Sequence, residues 1–148
     1  MPDTSDPGGY RSVTPRIVVD DVDAQVGFLR AVFGATGAVD PGHPAELRIG
    51  DSLIMVSSTS GGRDAFPAFL YVYVDDADEV YQRAIRGGAT TLEKPLDTPY
   101  GDRRAMVRDR FGNVFQIATR IAEGRLVQPG PDTGGLRRRP IPPQGAYP

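Results

Sequence analysis

Two short segments of this chain place chemically useful side chains at strand spacing. In Phe69 to Val74 the alternation puts Phe69, Tyr71 and Tyr73 on one face. A second run alternates in the same way and presents Arg104, Met106 and Arg108. Aromatic rings stack on flat molecules, methionine adapts to irregular shapes, and arginine stacks or pairs with anionic groups. This combination predicts binding of a flat or amphipathic organic molecule.

Other reactive side chains are sparse, and they leave two interpretations open. Asp97 and Asp102, near Tyr100, could serve as an acid/base pair. Alternatively, Asp102 fixes its loop through an ion pair with Arg103 or through a turn hydrogen bond, and we favour this interpretation. The single histidine, His43, stands between Pro-Gly and Pro, which is typical of a surface loop.

Composition excludes several classes of site. The 148 residues contain no cysteine, which excludes disulfides, thiolate metal sites and a cysteine nucleophile. The formal net charge of −2 gives no reason to expect nucleic-acid or anionic-membrane partners. The polar N-terminal stretch has no apolar run resembling a signal or membrane segment. We therefore expect no nucleic-acid partner, no membrane partner and a cytoplasmic location.

The reactive residues need a sheet to position them. Arg103 to Arg108 and Val114 to Thr119 predict a β-hairpin, because Asp109 to Asn113 between them contains Asp, Gly and Asn. An isolated hairpin is marginally stable in water, so further strands must join it.

The first half of the chain predicts the same kinds of element. Val13 to Val19 is a predicted strand, and Asp20-Asp21 offers N-cap oxygens for a helix that ends at Gly34. A hairpin follows, with predicted strands at Ala45 to Ile49 and Leu53 to Ser57.

An internal duplication relates the two halves. Val18 to Thr36 matches Val72 to Thr90 in an apolar strand, an Asp-Asp cap, a helix and a Gly-Ala-Thr ending. A hairpin follows each copy, so the repeated unit is a strand, a helix and two or three further strands.

Pro/Gly-rich stretches mark the predicted boundaries. We expect a disordered lead-in over residues 1–12, one domain over 13–122 and a Pro/Gly/Arg-rich tail over 123–148. Within the domain, module one spans 13–58 and module two spans 67–122.

The repeats, the Asp-Asp caps, the Gly-Ala-Thr endings and the run YGDRRAMVRDRFGNVFQIAT together resemble the glyoxalase/bleomycin-resistance superfamily, also called vicinal oxygen chelate proteins. The resemblance covers roughly residues 13–119 and is greatest to the PhnB-like branch. It implies an α+β fold in which two βαβββ modules form a curved mixed sheet with helices outside. It also implies a ligand in the concave cup of that sheet and a homodimer.

Metal-using members of the superfamily bind a divalent ion through four side chains, usually His, Glu or Gln. The resemblance carries these positions onto Thr14, Met55, Phe69 and Gln116, of which only Gln116 is a plausible ligand. We therefore expect no metal and no cofactor. A relocated metal site would involve His43, Glu46 and Gln116.

The same resemblance places a set of aromatic, sulfur-containing and polar side chains in the cup, with Leu53 and Val114 among them and with Tyr100 and Asp102 at its mouth. The predicted ligand-binding residues are Thr14, Arg16, Met55, Phe69, Tyr71, Tyr73, Tyr100, Arg104, Met106, Arg108 and Gln116. Our leading hypothesis is a metal-free small-molecule binder, either a drug-sequestering resistance protein or a carrier in secondary metabolism. Two alternatives stay open: a lyase, isomerase or oxygenase without the usual metal, and a dimeric structural or interaction protein in which these residues fill a core or interface.

Overall fold

Two copies of one strand–helix–three-strand unit follow each other along the chain. The computed structural model describes residues 10–121. The first unit consists of β1 (Arg16–Val19), α1 (Val22–Phe33), β2 (Thr36–Ala38), β3 (Ala45–Ile49) and β4 (Ser52–Ser58). A short 3₁₀ turn, Thr59–Gly61, follows it. The second unit consists of β5 (Phe69–Tyr73), α2 (Ala77–Arg86), β6 (Thr90–Asp97), β7 (Asp102–Arg108) and β8 (Val114–Arg120).

The two units build sheets of identical topology. Within residues 10–121 the strand orders are β1-β4-β3-β2 and β5-β8-β7-β6. In each sheet the first strand runs parallel to the last, and the remaining pairs are antiparallel. This arrangement confirms the predicted α+β fold of two βαβββ modules.

The helix boundaries follow from the predicted caps. Asp21 accepts a hydrogen bond from the Ala24 amide, and Asp76 accepts one from the Glu79 amide. Gly34 adopts a left-handed conformation with φ of 68° and ends α1, a conformation that glycine reaches without a Cβ penalty. No helix of the described residues is long and apolar enough to cross a membrane.

Strand β1 is shorter than the sequence predicts. It starts at Arg16 instead of Val13 because Pro15 has no amide hydrogen, although the Pro15 carbonyl still accepts a hydrogen bond from the Met55 amide. Strands β2 and β6 begin at Thr36 and Thr90, the threonines that close the two Gly-Ala-Thr endings.

Both helices cover the same side of the sheets and share one apolar core. Phe28 and Phe33 of α1 contact the ring of Phe115 in the second module, with ring centroids 6.0 and 5.2 Å apart. The core also includes Ile17, Leu47 and Val56 of the first module and Val107 and Ile117 of the second. The opposite side of the sheets, which we call the open face, has no helix over it among residues 10–121.

A buried polar cluster also connects the modules. Gln25 of α1 donates to Asp109 in the β7–β8 turn and accepts from Asn113, and the three side chains are almost completely buried. The Asn113 amide oxygen accepts from the Ala68 amide just before β5. At the sheet edges, Phe66 forms an antiparallel bridge with Val18 of β1. The modules therefore join within one chain.

The predicted tail lies outside the described residues, as does the lead-in apart from residues 10–12. The domain limits at 13 and 122 and the module limits at 58 and 67 remain predictions.

Candidate functional site

Three aromatic side chains of β5 lie on the open face. Phe69, Tyr71 and Tyr73 are 58%, 36% and 47% exposed, whereas Leu70 and Val72 pack against the core. The predicted alternation of this strand is therefore confirmed. The Tyr71 and Tyr73 rings lie with centroids 5.3 Å apart at an interplanar angle of 55°. These rings form an aromatic surface that solvent reaches.

Both tyrosine hydroxyls are held by one buried carboxylate. Asp102 has no exposed surface, and its Oδ2 accepts from Tyr71 at 2.5 Å and from Tyr73 at 2.9 Å. Arg120 donates to Asp102 Oδ1 at 3.0 Å and to the Tyr73 hydroxyl at 2.9 Å. The guanidinium also lies 5.3 Å from the centre of the Tyr73 ring. Since each ring is bonded at its far end, its orientation is fixed before a ligand arrives.

The electrostatic surroundings keep Tyr71 protonated. Burial raises the pKa of its hydroxyl, and the hydrogen bond to Asp102 and the negative charge of that carboxylate raise the pKa further. Tyr71 therefore acts as a hydrogen-bond donor to Asp102 and is a poor general base at neutral pH.

A second buried polar group lies deeper on the same face. Arg104, only 3% exposed, donates through Nε to Glu93 at 2.9 Å and through Nη1 to the Tyr100 hydroxyl at 2.6 Å. Its Nη2 also lies 2.8 Å from Glu93 Oε1. Tyr100 and Asp102, predicted to lie at the mouth of the cup, are buried instead because they hydrogen-bond Arg104 and the β5 tyrosines. Arg104 is paired, which leaves it little capacity to bind an anionic ligand.

The strand register places further predicted residues beside the aromatic surface, on the two neighbouring strands. Tyr71 pairs with Gln116 across β5 and β8, and Gln116 pairs with Met106 across β8 and β7. Gln116 and Met106 are 5% and 1% exposed. The buried Nε2 of Gln116 has no hydrogen-bond partner within residues 10–121, which is unusual for a buried amide. Arg108, in contrast, is exposed.

The first module contributes a smaller polar group to the open face. Arg16 donates to the Met55 sulfur at 3.1 Å, and the register continues from Met55 to Glu46. Thr14 is half-buried and precedes β1. Tyr10, which the sequence assigns to the lead-in, lies close enough to Glu46 that burial and this carboxylate raise the pKa of Tyr10 to about 12.

A small cavity separates the two halves beside the tyrosines. It has a volume of about 250 Å³. Pro15 and Ile54 line it from the first module, and Leu70 to Tyr73 line it from β5. The aromatic surface is therefore bordered on one side by a mainly apolar cavity.

The donors at the superfamily's metal positions do not suit a divalent ion. Thr14, Met55 and Phe69 offer a hydroxyl, a thioether and a benzene ring in place of imidazole or carboxylate ligands. Within residues 10–121 no group of three or more His, Cys, Asp or Glu side chains could hold a metal ion. The four positions therefore do not fit the metal that the fold implies.

The remaining predicted chemistry lies elsewhere or is already paired. His43 is exposed in a turn, where its amide donates to the Asp40 carbonyl.

The predicted ion pair between Asp102 and Arg103 is wrong, because Arg103 forms ion pairs with Asp97 and Asp78 instead. Strand alternation turns Arg103 toward the helices, while Asp102 faces the tyrosines. The predicted turn hydrogen bond is present, since the Asp102 amide donates to the Thr98 hydroxyl at 2.9 Å.

Sequence comparison identifies the class of protein that this fold represents. The family model for the glyoxalase/bleomycin resistance protein/dioxygenase superfamily matches residues 11–117. The chain belongs to this superfamily.

Relatives in mycobacteria are similar over most of their length. An uncharacterized protein of Mycobacterium tuberculosis is 31% identical over 130 residues, which cover 76% of each protein. An uncharacterized protein of Mycobacterium bovis is also 31% identical over 130 residues, covering 76% of this chain and 85% of the relative.

Solved structures share the fold. The crystal structure of TioX from Micromonospora is 26% identical with a TM-score of 0.61, covering 74% of this chain and 95% of that one. A superfamily enzyme from Burkholderia phytofirmans is 24% identical with a TM-score of 0.63, covering 72% and 95% of the two chains, and shows the fold alone.

Proposed function

We propose that this protein binds an aromatic or amphipathic small molecule on the open face, and that binding itself is its activity. The observation that carries the proposal is the aromatic surface of Phe69, Tyr71 and Tyr73, whose tyrosine hydroxyls are fixed by Asp102. Rings that are oriented before binding lose little conformational freedom when a flat ligand stacks on them. The apolar cavity beside Tyr71 offers room for part of such a ligand.

Binding without a metal ion is part of the same proposal. It rests on the side chains at Thr14, Met55 and Phe69, none of which is a normal ligand for manganese, iron, nickel or zinc. The test is elemental analysis by mass spectrometry after purification without chelator and incubation with these four ions. Near-stoichiometric retained metal would contradict a metal-free site.

A matched pair of phenylalanine variants tests the aromatic surface. Phe69→Ala removes an exposed ring from the β5 part of the open face, and Phe66→Ala removes an equally large ring, 72% exposed, beside Val18 at the edge of β1. A thermal-shift screen of aromatic natural products supplies the ligand. Its affinity is then measured by titration of tyrosine fluorescence, because the chain has six tyrosines and no tryptophan. We expect Phe69→Ala to lose affinity and Phe66→Ala to keep it. Equal affinities in the two variants would refute the proposed surface.

An enzymatic function is the alternative, and one observation favours it. The buried Nε2 of Gln116 has no hydrogen-bond partner among residues 10–121 and lies on the strand next to Tyr71, where it could hydrogen-bond a reacting substrate. Substrate turnover that disappears in Gln116→Leu while ligand affinity persists would favour an enzyme.

The finer expectations belong to this proposal as well. They are membership of the PhnB-like branch, a role in antibiotic resistance, a homodimer and a cytoplasmic location. The exposed aromatic residues of β5 are also compatible with a dimer interface. Light scattering, which measures the molecular mass in solution, distinguishes a dimer interface from a ligand-binding surface. If the protein is a dimer and Phe69→Ala converts it to a monomer, the interaction protein is favoured over the small-molecule binder.

A further inference from the structure

The open face is richer in positive charge than the rest of the chain. The strand register places five arginines and three acidic residues on it: Arg16, Arg48, Arg104, Arg108, Arg120, Glu46, Glu93 and Asp102. The whole chain nevertheless has a formal net charge of −2. The side that carries the exposed rings therefore has more positive than negative side chains, unlike the chain as a whole.

Two of these arginines are already neutralised. Arg104 pairs with Glu93 at 2.8 Å, and Arg120 pairs with Asp102 at 3.0 Å. Arg108 makes no ion pair or side-chain hydrogen bond with any of residues 10–121, and it is exposed. Its guanidinium therefore keeps its donors for a ligand.

Register places this cation close to the aromatic surface. Phe69 pairs with Val114 across β5 and β8, and Val114 pairs with Arg108 across β8 and β7. Phe69 and Arg108 are two strands apart, so their Cα atoms are separated by roughly 10 Å. Both side chains leave the sheet on the same side, so one small molecule can contact the ring and the guanidinium together.

We propose that the molecule bound on the open face is an aromatic acid, and that Arg108 binds its carboxylate, sulfonate or similar anionic group. This inference rests on the proposed binding function and adds the ligand's charge to it. A guanidinium pairs with such groups through two parallel hydrogen bonds, which are stronger than neutral ones. Arg104 is unsuited to this role because Glu93 neutralises its charge and its side chain is only 3% exposed.

Two dyes with the same rings test the charge separately from the aromatic surface. The probes are 8-anilinonaphthalene-1-sulfonate and N-phenyl-1-naphthylamine, which differ by the sulfonate. Their fluorescence is titrated with the full chain, with Arg108→Gln, with Arg108→Lys and with the control Arg86→Gln. Arg86 lies on α2, is 63% exposed and pairs with Glu79, so its substitution removes the same charge from the helix side.

We expect Arg108→Gln to weaken the sulfonate dye by about tenfold or more, the value of one charge-assisted hydrogen bond, and to leave the neutral dye unchanged. Arg108→Lys keeps the charge and should retain most of the affinity, while Arg86→Gln should behave like the parent protein. The inference is overturned if Arg108→Gln changes neither dye or weakens both equally. If both dyes bind, respond to Phe69→Ala and are unaffected by Arg108→Gln, the proposed function stands without this ligand class. If neither dye binds, both proposals fail.

Discussion

The Tyr71 hydroxyl donates a 2.5 Å hydrogen bond to the carboxylate of Asp102, which lies 31 residues further along the chain and is completely buried. The same carboxylate accepts from Tyr73 and Arg120. One acidic side chain therefore fixes the two rings of the candidate site and holds β5, β7 and β8 together on the open face.

The raised pKa of Tyr71 predicts a loss of stability in alkali. Unfolded tyrosine ionises near pH 10, whereas folded Tyr71 keeps its proton to higher pH. Its contribution is therefore fully present below about pH 10 and declines as the pH rises further. Urea unfolding between pH 8 and 11 should show a falling free energy of unfolding, and Tyr71→Phe should show a shallower fall. An identical pH dependence in the two proteins would contradict the assignment to Tyr71.

The buried pair of Arg104 and Glu93 predicts an asymmetric response to substitution. Glu93→Gln leaves a guanidinium that is 3% exposed without its counter-charge, which should destabilise the fold by about 3–5 kcal/mol. Replacing both residues by methionine should recover much of that loss, because no unpaired charge remains. Denaturant midpoints of the single and double variants check this, and additive losses would count against a buried ion pair.

The link between the modules predicts a large effect at Asn113. Asn113→Ala deprives Gln25, Asp109 and the Ala68 amide of hydrogen-bond partners in a buried site, so we expect a loss of about 2 kcal/mol or more. Calorimetry should show one transition at a lower temperature. Two separate transitions in the parent protein would argue against a core shared by the modules.

Two glycines predict opposite outcomes. At Gly37, with φ of 137°, an added Cβ would lie 2.1 Å from the Glu46 carbonyl oxygen, so Gly37→Ala should separate β2 from β3. At Gly27, inside α1, an added Cβ meets nothing within 4 Å, so Gly27→Ala should stabilise the helix by about 0.5–1 kcal/mol. Thermal melting of the two variants gives the sign of each effect. Lower melting temperatures for both would contradict the space seen at Gly27.

Sequence alone predicted the elements whose local patterns are strong. The alternation in β5 gave its two faces, and Asp21, Asp76 and Gly34 marked helix ends, because these signals depend on neighbouring residues. Strand β6 was not placed: its run TTLEKPLD contains proline, has irregular register and shows no alternation. Without β6, the partner of Arg104 could not be recognised.

The buried connections of the site were beyond sequence reasoning for a related reason. Arg120 lies one residue past the predicted strand end, and Gln25 shows no distinctive spacing in α1. Their partners lie 18 to 88 residues away. Composition and periodicity carry no information on such pairings, which tertiary packing determines.

The contact of Gln25 with Asn113 also constrains the order of events during synthesis. A ribosome produces the whole first repeat long before residue 113 emerges, so the nascent first repeat has an incomplete interior and a buried amide without its partners. We therefore expect stable folding to wait until the second repeat is complete. Premature termination anywhere between the repeats would release a fragment that chaperones and proteases recognise as unfolded.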